Sequence, residues 1–281
     1  MSSRTRRPAP PFAAIALGAL VALVVAACGA GSSASPLTDP VEILQAGAAS
    51  LAEMETVHVR GAIEGEVSLD LGGVGGGAPL PLKGTTLDAD VDVAGSALSA
   101  ELMAPALLNM RVSVIVVDGS SYLRAPIITG ESWLRQPAEG GIGGDPGAAL
   151  EGLAAFLARP ELEPEKLPDV RCAGTDCYSV QFTVPAQELA DALGSLGSSI
   201  PGLSGAAVGD VTVTVGVRKD DLSLATLSLE IPAGGATPLT ISLELTKVNE
   251  PVTIEAPPAD QVKDAPGGPG PAPTPTAQTT G

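Results

Sequence analysis

Residues 57–71 read Val-His-Val-Arg-Gly-Ala-Ile-Glu-Gly-Glu-Val-Ser-Leu-Asp-Leu. Apolar and polar side chains alternate along most of this stretch, and a period of two residues is typical of a β-strand with one buried face. Gly61 and Gly65 interrupt the pattern and indicate bends or bulges. The stretch therefore predicts a long half-buried strand whose inward side chains are Val57, Val59, Ile63, Val67, Leu69 and Leu71.

The same alternation recurs along the rest of the chain, at residues 87–93, 98–102, 178–184, 211–217, 222–231 and 239–245. Between Leu224 and Leu227 the inward parity changes, which predicts a β-bulge there. Residues 111–117 are largely apolar, and Asp118-Gly119 after them is typical of a hairpin turn. These patterns predict about eight to eleven strands.

Three stretches have helical periodicity instead. Asp39 is a predicted N-cap with Pro40 at the first helical position, and apolar residues follow at spacings of three and four. Asp145-Pro146 repeats that start, and residues 185–196 form the third predicted helix. The helices do not alternate regularly with the strands, which argues against a parallel doubly wound sheet. The sequence therefore predicts an α+β protein with a mostly antiparallel sheet.

The two ends of the chain differ from its middle. Arg4, Arg6 and Arg7 precede an apolar run at 12–27, which is typical of a secretory signal and too short to span a bilayer. Residues 29–37 are small and polar, and residues 257–281 are Pro, Gly, Ala and Thr without periodicity. We therefore expect a signal peptide at 1–27, a flexible tether at 28–38, one domain at 39–256 and a disordered tail at 257–281.

Composition excludes several functions. Without residues 1–27 the chain carries 12 basic against 32 acidic residues. That charge repels nucleic acid and anionic membrane surfaces, so no nucleic-acid partner is expected and membrane attachment must come from a lipid anchor. Aromatic residues are only 2% of the chain, so Leu, Val, Ile and Ala must form the interior.

The chemistry-bearing residues are few. Cys172 and Cys177 are expected to form a disulfide in a secreted protein. The only histidine, His58, lies on the polar face of its strand and is interpreted as a surface residue. Asp88, Asp90 and Asp92 lack the glycine and glutamate positions of an EF-hand loop and are interpreted as a solvated face. We therefore expect no metal site, no cofactor and no enzyme activity; a hydrolase would have to use His58 as its base.

A cysteine directly follows the apolar run, in Val25-Ala26-Ala27-Cys28. This string resembles the lipobox of bacterial lipoproteins. The resemblance implies cleavage between Ala27 and Cys28, diacylglycerol with fatty acids such as palmitate on the Cys28 sulfur, and a lipid-anchored location on the extracytoplasmic side of the cell membrane. The alternative is an ordinary secretion signal with an incidental cysteine.

Several strings later in the chain resemble the LppX/LprA/LprF/LprG family of envelope lipoproteins. They are Val57-His58-Val59, Val117-Asp118-Gly119 with Tyr122 and Trp133, residues 180–185 and residues 250–257. The resemblance implies a strongly curved antiparallel half-barrel with helices on its concave face, similar to the carriers LolA and LolB. It also implies binding of lipid or glycolipid acyl chains, transport across the envelope and a membrane transporter as partner. The pair Cys172/Cys177 and the long tail depart from the family pattern.

Inward strand and helix positions are the candidates to line a lipid cavity: Leu44, Leu51, Val91, Met103, Leu153, Leu193 and Val213. Leu and Val on a curved sheet leave space more easily than large aromatic side chains do. The alternative is a solid-cored surface lipoprotein that acts as a sensor, adhesion module or scaffold. A hollow interior favours the carrier, and a packed interior favours the alternative.

Overall fold

The computed structural model describes residues 36–68, 79–138, 144–194, 209–232 and 237–265. The predicted signal peptide, Cys28, most of the tether, the glycine-rich turn at 72–77 and residues 266–281 lie outside the described residues. Within the part that is described, no helix combines the length and apolar character needed to cross a bilayer.

Twelve of the described strands form one sheet, in the order β14-β8-β7-β6-β5-β4-β1-β13-β12-β11-β10-β9. All neighbours are antiparallel except β14 and β8, and the sheet is curved and does not close, so it forms a half-barrel. Strands β2 and β3 form a separate two-stranded sheet. The bounds are β1 Thr56–Glu64, β2 Glu66–Ser68, β3 Pro79–Pro81, β4 Thr85–Asp92, β5 Ala97–Ala104, β6 Met110–Val117, β7 Ser120–Arg124, β8 Trp133–Pro137, β9 Glu165–Cys172, β10 Thr175–Pro185, β11 Asp210–Arg218, β12 Leu224–Ile231, β13 Leu239–Thr246 and β14 Val262–Asp264.

Strand β1 lies near the middle of the sheet and joins its early and late halves. It pairs with β4 on one side and β13 on the other. Val57 lies opposite Val91, and Val59 lies opposite Ala89 and Leu245, so the inward positions of three strands share one face. The predicted long strand ends at Glu64, because Gly65 has φ +109° and a Cβ there would collide with the carbonyl oxygen of Pro238.

Four helices are described: α1 Pro40–Ala52, α2 Pro126–Thr129, α3 Pro146–Leu157 and α4 Ala186–Ala192. The Asp39 side chain accepts a hydrogen bond from the Val41 N–H, and Asp145 accepts from Gly147 and Ala148. Both predicted N-caps therefore satisfy backbone donors that the first helical turn leaves free. Helix α1 packs on β10, β11 and β12, and α3 packs on α1, α4 and β4.

Gly47 allows helix α1 to approach the sheet closely. A Cβ at this position would lie 2.9 Å from Cγ2 of Val217 and 3.6 Å from Cδ1 of Leu224. The nearby Ser50 hydroxyl accepts a hydrogen bond from the Leu224 N–H at 2.9 Å. Helix and sheet thus meet through both apolar packing and a polar bond.

The predicted bulge lies in β12. Gly216 pairs with Thr226 and Val217 pairs with Leu224, so Ala225 is the extra residue. The bulge turns Ala225 to the opposite face, where it packs against the disulfide between Cys172 and Cys177, whose Cα atoms are 5.9 Å apart. The two cysteines close the β9–β10 hairpin and bury a small apolar cluster outside the main core.

The structure differs from the sequence prediction at three edge elements. Residues 159–169 are rich in Pro and Glu, which predicts a loop, but β9 includes the last five of them, and β8 was not predicted. The fold also extends past the predicted boundary at residue 257. Strand β14 pairs with β8, and Asp264 forms an ion pair with Arg135 at 2.7 Å. Residues 257–264 therefore belong to the fold rather than to a disordered tail.

We expect Gly47→Leu to lower the free energy of unfolding by about 1–3 kcal/mol, the usual cost of overpacking a close contact. Thermal denaturation followed by circular dichroism measures the change, and about 2–4 °C per kcal/mol is expected for a chain of this size. Ala49→Leu, at an exposed position of the same helix, is the control and should change the melting temperature little. Equal effects of the two variants would contradict the close approach of α1.

Candidate functional site

The concave, apolar face of the sheet has two differently covered halves. Over β10 to β12 lie helices α1 and α4, and α3 packs against them. On the other half, over β5 to β8, the helix that packs on the sheet within the described residues is the short α2, which contacts β6. The two halves therefore form two different candidate sites.

Under the helices the interior is filled by the chain's own side chains. Five of the predicted cavity residues belong to the main buried cluster with at most 7% exposure: Leu44, Leu51, Val91, Leu153 and Val213. Leu193 is partly buried and packs against the same cluster. These six residues come together in one packed core, which extends from the strands under the helices to Val91 on β4.

Met103 does not face this core. It lies opposite Thr86 and Arg111 and shares the polar face with Glu101, because side chains two residues apart in a strand point to the same side. The inward residues of β5 are Leu98, Ala100 and Leu102. Met103 directly follows an inward residue and so lies on the other face, which makes its assignment to the cavity wrong.

The less covered half presents a continuous aliphatic surface. Leu87, Leu102 and Val112 are direct cross-strand neighbours on β4, β5 and β6. Leu123 and Leu134 pair on β7 and β8. All five side chains are only partly buried. In the adjacent row, Ala89 lies opposite Ala100 and Ala100 opposite Val114. Val114 in turn lies opposite Leu123, so this row joins the small residues of β4 and β5 to the leucines of β7 and β8.

The opposite face of the same half carries a polar cleft of about 230 Å³. Carboxylates on β4 and β5, serines on β5 and β6, and Arg124 line it, with Trp133 at one side. The Arg124 guanidinium carbon lies 4.7 Å from the centre of the Trp133 ring, a distance typical of a cation–π contact. Among the described residues, no group of three or more His, Cys, Asp or Glu side chains is arranged to hold a metal ion.

His58 lies on this polar face but is buried, with 6% exposure, which corrects its interpretation as a surface residue. Its Nδ1 is 2.8 Å from Oδ1 of Asp90, and its Nε2 is 3.5 Å from Oδ2 of Asp88. The Thr246 hydroxyl donates to the His58 carbonyl from the strand on the other side. Neighbours on both flanking strands thus enclose the ring, which a sequence pattern of single strands does not reveal.

The contacts of His58 are those of a structural residue. Its side-chain partners in the described part of the chain are two carboxylates, and an activated nucleophile would need a hydroxyl or thiol within hydrogen-bond distance. One ring nitrogen is satisfied by Asp90, while Nε2 is buried without a hydrogen bond. His58 therefore contributes to the packing of the polar face.

The start of the domain is held at the β9–β10 edge. The Leu37 N–H donates to the Tyr178 hydroxyl at 3.0 Å. Asp169 accepts hydrogen bonds from Lys166 and Lys219, whose ammonium groups lie 5.7 and 5.1 Å from the Tyr178 ring centre. These bonds lower the pKa of the Asp169 carboxyl and raise the pKa of Lys219. The Asp169 carboxylate therefore contributes to folding stability at neutral pH, and this contribution is lost as the pH falls through its lowered pKa. Because the group is exposed, the contribution stays within about 1 kcal/mol.

We expect Asp90→Ala to destabilise the protein by about 1–3 kcal/mol, because it leaves a buried ring nitrogen of His58 without its partner. Urea denaturation at pH 7 measures the difference. Asp88→Ala is the control, since Asp88 is 62% exposed and lies farther from the ring, and it should change stability much less. If both variants lose the same stability, the His58–Asp90 hydrogen bond does not hold the ring in place.

Comparison with known proteins gives structural matches alone. No family model matches the chain, and no curated protein matches it. LprF from Mycobacterium bovis superposes with a TM-score of 0.53 at 19% sequence identity, covering 79% of this chain and 99% of that one. The Mycobacterium tuberculosis lipoprotein LppX superposes with a TM-score of 0.52 at 16% identity, covering 77% and 98%. The chain therefore has the half-barrel fold of the lipoproteins LppX and LprF.

Proposed function

We propose that this protein is a non-enzymatic envelope lipoprotein that binds acyl chains of lipids or glycolipids and carries them across the cell envelope. The proposal places its anchor at Cys28 on the extracytoplasmic side of the membrane. The observation that carries it is the half-buried aliphatic surface of Leu87, Leu102, Val112, Leu123 and Leu134, on the concave side of a half-barrel of the LppX and LprF type.

The chemistry of this surface suits a hydrocarbon tail. Its side chains are aliphatic, and the small Ala89 and Ala100 lie beside the larger Leu87 and Leu102. Each methylene of a tail removed from water contributes about 0.8 kcal/mol. Two long acyl chains would therefore bind firmly without specific polar contacts, which agrees with the polar residues lying on the opposite face.

The packed core under the helices favours a second function. Leu44, Leu51, Leu153 and Val213 leave the covered half of the sheet filled. A solid-cored lipoprotein acting as a sensor, adhesion module or scaffold would need no more than this. The two functions differ in one measurable respect, because the carrier must hold lipid on the less covered half and the alternative must not.

The anchor is tested by metabolic labelling with palmitate. We expect the wild-type chain to incorporate label and Cys28→Ala to incorporate none, because the thioether requires the sulfur of Cys28. The domain core begins at Leu37, so the variant should keep its melting temperature. The control is Ser33→Ala, which should label like the wild type. Label on the Cys28→Ala chain would contradict the lipobox interpretation.

Lipid binding is tested by native mass spectrometry of the mature chain carrying Cys28→Ala, purified from the soluble fraction without detergent. We expect bound lipid masses, and we expect Ala100→Phe to reduce lipid occupancy about tenfold, since displacing about two methylenes costs roughly 1.6 kcal/mol. Thr86→Phe, at an exposed position of the polar face, is the control and should leave the occupancy unchanged. Lipid-free spectra with no uptake from vesicles would support the solid-cored alternative and contradict the carrier.

A further inference from the structure

Two of the three exposed large apolar residues of the described chain lie on neighbouring turns at one end of the sheet. Leu108 is 89% exposed in the turn between β5 and β6, and Ile127 is 67% exposed in α2, between β7 and β8. Helix α2 packs on β6, and β6 begins directly after the Leu108 turn. The two side chains therefore belong to one surface, which we call the tip and define as residues 105–109 and Pro126–Thr129.

The backbone of the tip is strained in a way that presents Leu108 to solvent. Leu108 has φ +58° and the next residue, Asn109, has φ +55°. A left-handed conformation is unfavourable for leucine and is tolerated far better by asparagine or glycine. Neither packing nor backbone preference explains a leucine here, since its side chain is almost fully exposed. Strain of this kind is common where a segment is shaped for contact with a partner.

The charge around the tip differs from the rest of the chain. Residues 102–117 and 119–130 contain no acidic residue, although the whole chain has 32. Exposed Lys83 belongs to a turn that lies beside the tip, because a Cβ on Gly84 would be 3.9 Å from Pro105. Arg111 follows the first turn and is half exposed, with Glu101 3.4 Å away. Arg111 is thus paired with an acid, and exposed Glu131 follows α2 by two residues, so Lys83 is the basic residue beside the tip that has no acidic partner among the described residues. An apolar patch with a basic residue at its border fits the surface of a lipid bilayer.

We propose that the tip docks on a lipid bilayer, with Leu108 and Ile127 inserted among the lipid chains and Lys83 and Arg111 at the headgroups. This docking role rests on the proposed function, because docking serves to bring lipid tails to the binding surface. The aliphatic surface of β4 to β6 continues to the end of the sheet where the tip lies. Leu102 and Val112 pair with each other two residues before Ala104 and Met110, the pair that ends β5 and begins β6 at the tip. A tail leaving a docked bilayer would meet that surface first.

The tip and the anchor attach at opposite ends of the domain. Leu37 is held by Tyr178, near the start of β10, whereas the tip lies at the end where β5 and β7 finish. Eight residues separate Cys28 from Leu37 and span at most about 28 Å, roughly the length of an eight-residue strand. The tip can therefore contact a bilayer other than the anchoring one, so free vesicles are a suitable probe.

Vesicle flotation of the mature chain carrying Cys28→Ala tests the docking, with vesicles of phosphatidylcholine and phosphatidylglycerol. The test variant is Leu108→Asn with Ile127→Ser, which relieves backbone strain and removes exposed apolar area, so its melting temperature should not fall. We expect it to need about tenfold more lipid for half-maximal binding. The matched control is Val170→Ser, which alters the third exposed residue, on β9, and should bind like the parent.

Two further measurements separate the contributions. Lys83→Gln with Arg111→Gln should weaken binding to the anionic vesicles several-fold and leave binding to pure phosphatidylcholine unchanged. Undiminished binding by the Leu108/Ile127 variant, or an equal loss in Val170→Ser, would overturn the docking proposal. Native mass spectra of the same preparations report on cargo independently. Tip-dependent binding without any bound lipid would support docking and overturn the carrier, whereas bound lipid without tip dependence would overturn docking alone.

Discussion

The register of β1 between β4 and β13 is the constraint on which the rest of the structure depends. Within the described sheet, this strand is the place where the early half of the chain, β4 to β8, meets the late half, β9 to β13. Its side chains alternate at the start, so Val57 enters the core and Arg60 remains outside. A slip of one residue would move Val57 and Val59 to the polar face and bring them opposite the wrong residues of both β4 and β13. The apolar faces of the two halves are therefore continuous only in this register.

The two halves of the apolar face differ because the helices come from only some of the connections. The chain supplies α1 before β1, α3 before β9 and α4 after β10. Helices α1 and α4 pack on the late half, and α3 packs on these two helices and on β4. The early half is built from short hairpins, with the four-residue α2 as its one described helix. Its large aliphatic side chains are consequently left half buried. The unequal covering follows from chain order and gives the half-barrel one filled side and one side whose aliphatic side chains are half buried.

Much of this arrangement could be predicted from local patterns, and the failures have physical causes. Two-residue alternation placed the inward residues of most strands, and the parity change in 222–231 located the bulge at Ala225. Strand β9 contains Pro168 and belongs to an edge, where half of the backbone groups need no partner, so its composition resembles a loop. Strand β14 exists through pairing with β8, which no periodicity of three residues can show.

The site was harder to predict than the fold because burial depends on neighbours from distant parts of the chain. His58 has the position of a surface residue in its own strand, yet Asp90 and Thr246 enclose it from strands 32 and 188 residues away. Met103 has an apolar side chain but the parity of a polar position. The local sequence does not indicate the burial of either residue, because burial depends on which residues of the neighbouring strands lie opposite.

Leu108 of the tip is the opposite case, because its local sequence suggests burial and the structure leaves it exposed. Leu108 lies in an apolar stretch, Ala106 to Met110, that a sequence pattern would assign to the interior, and Leu107 does pack against the core. The left-handed backbone at Leu108 and Asn109 turns the chain back into β6 and leaves one leucine outside. A chain with so few basic residues also places two of them beside this turn. The backbone conformation and the exposure of Leu108 are therefore one feature, and Ile127 on α2 adds exposed apolar area at the same end of the sheet.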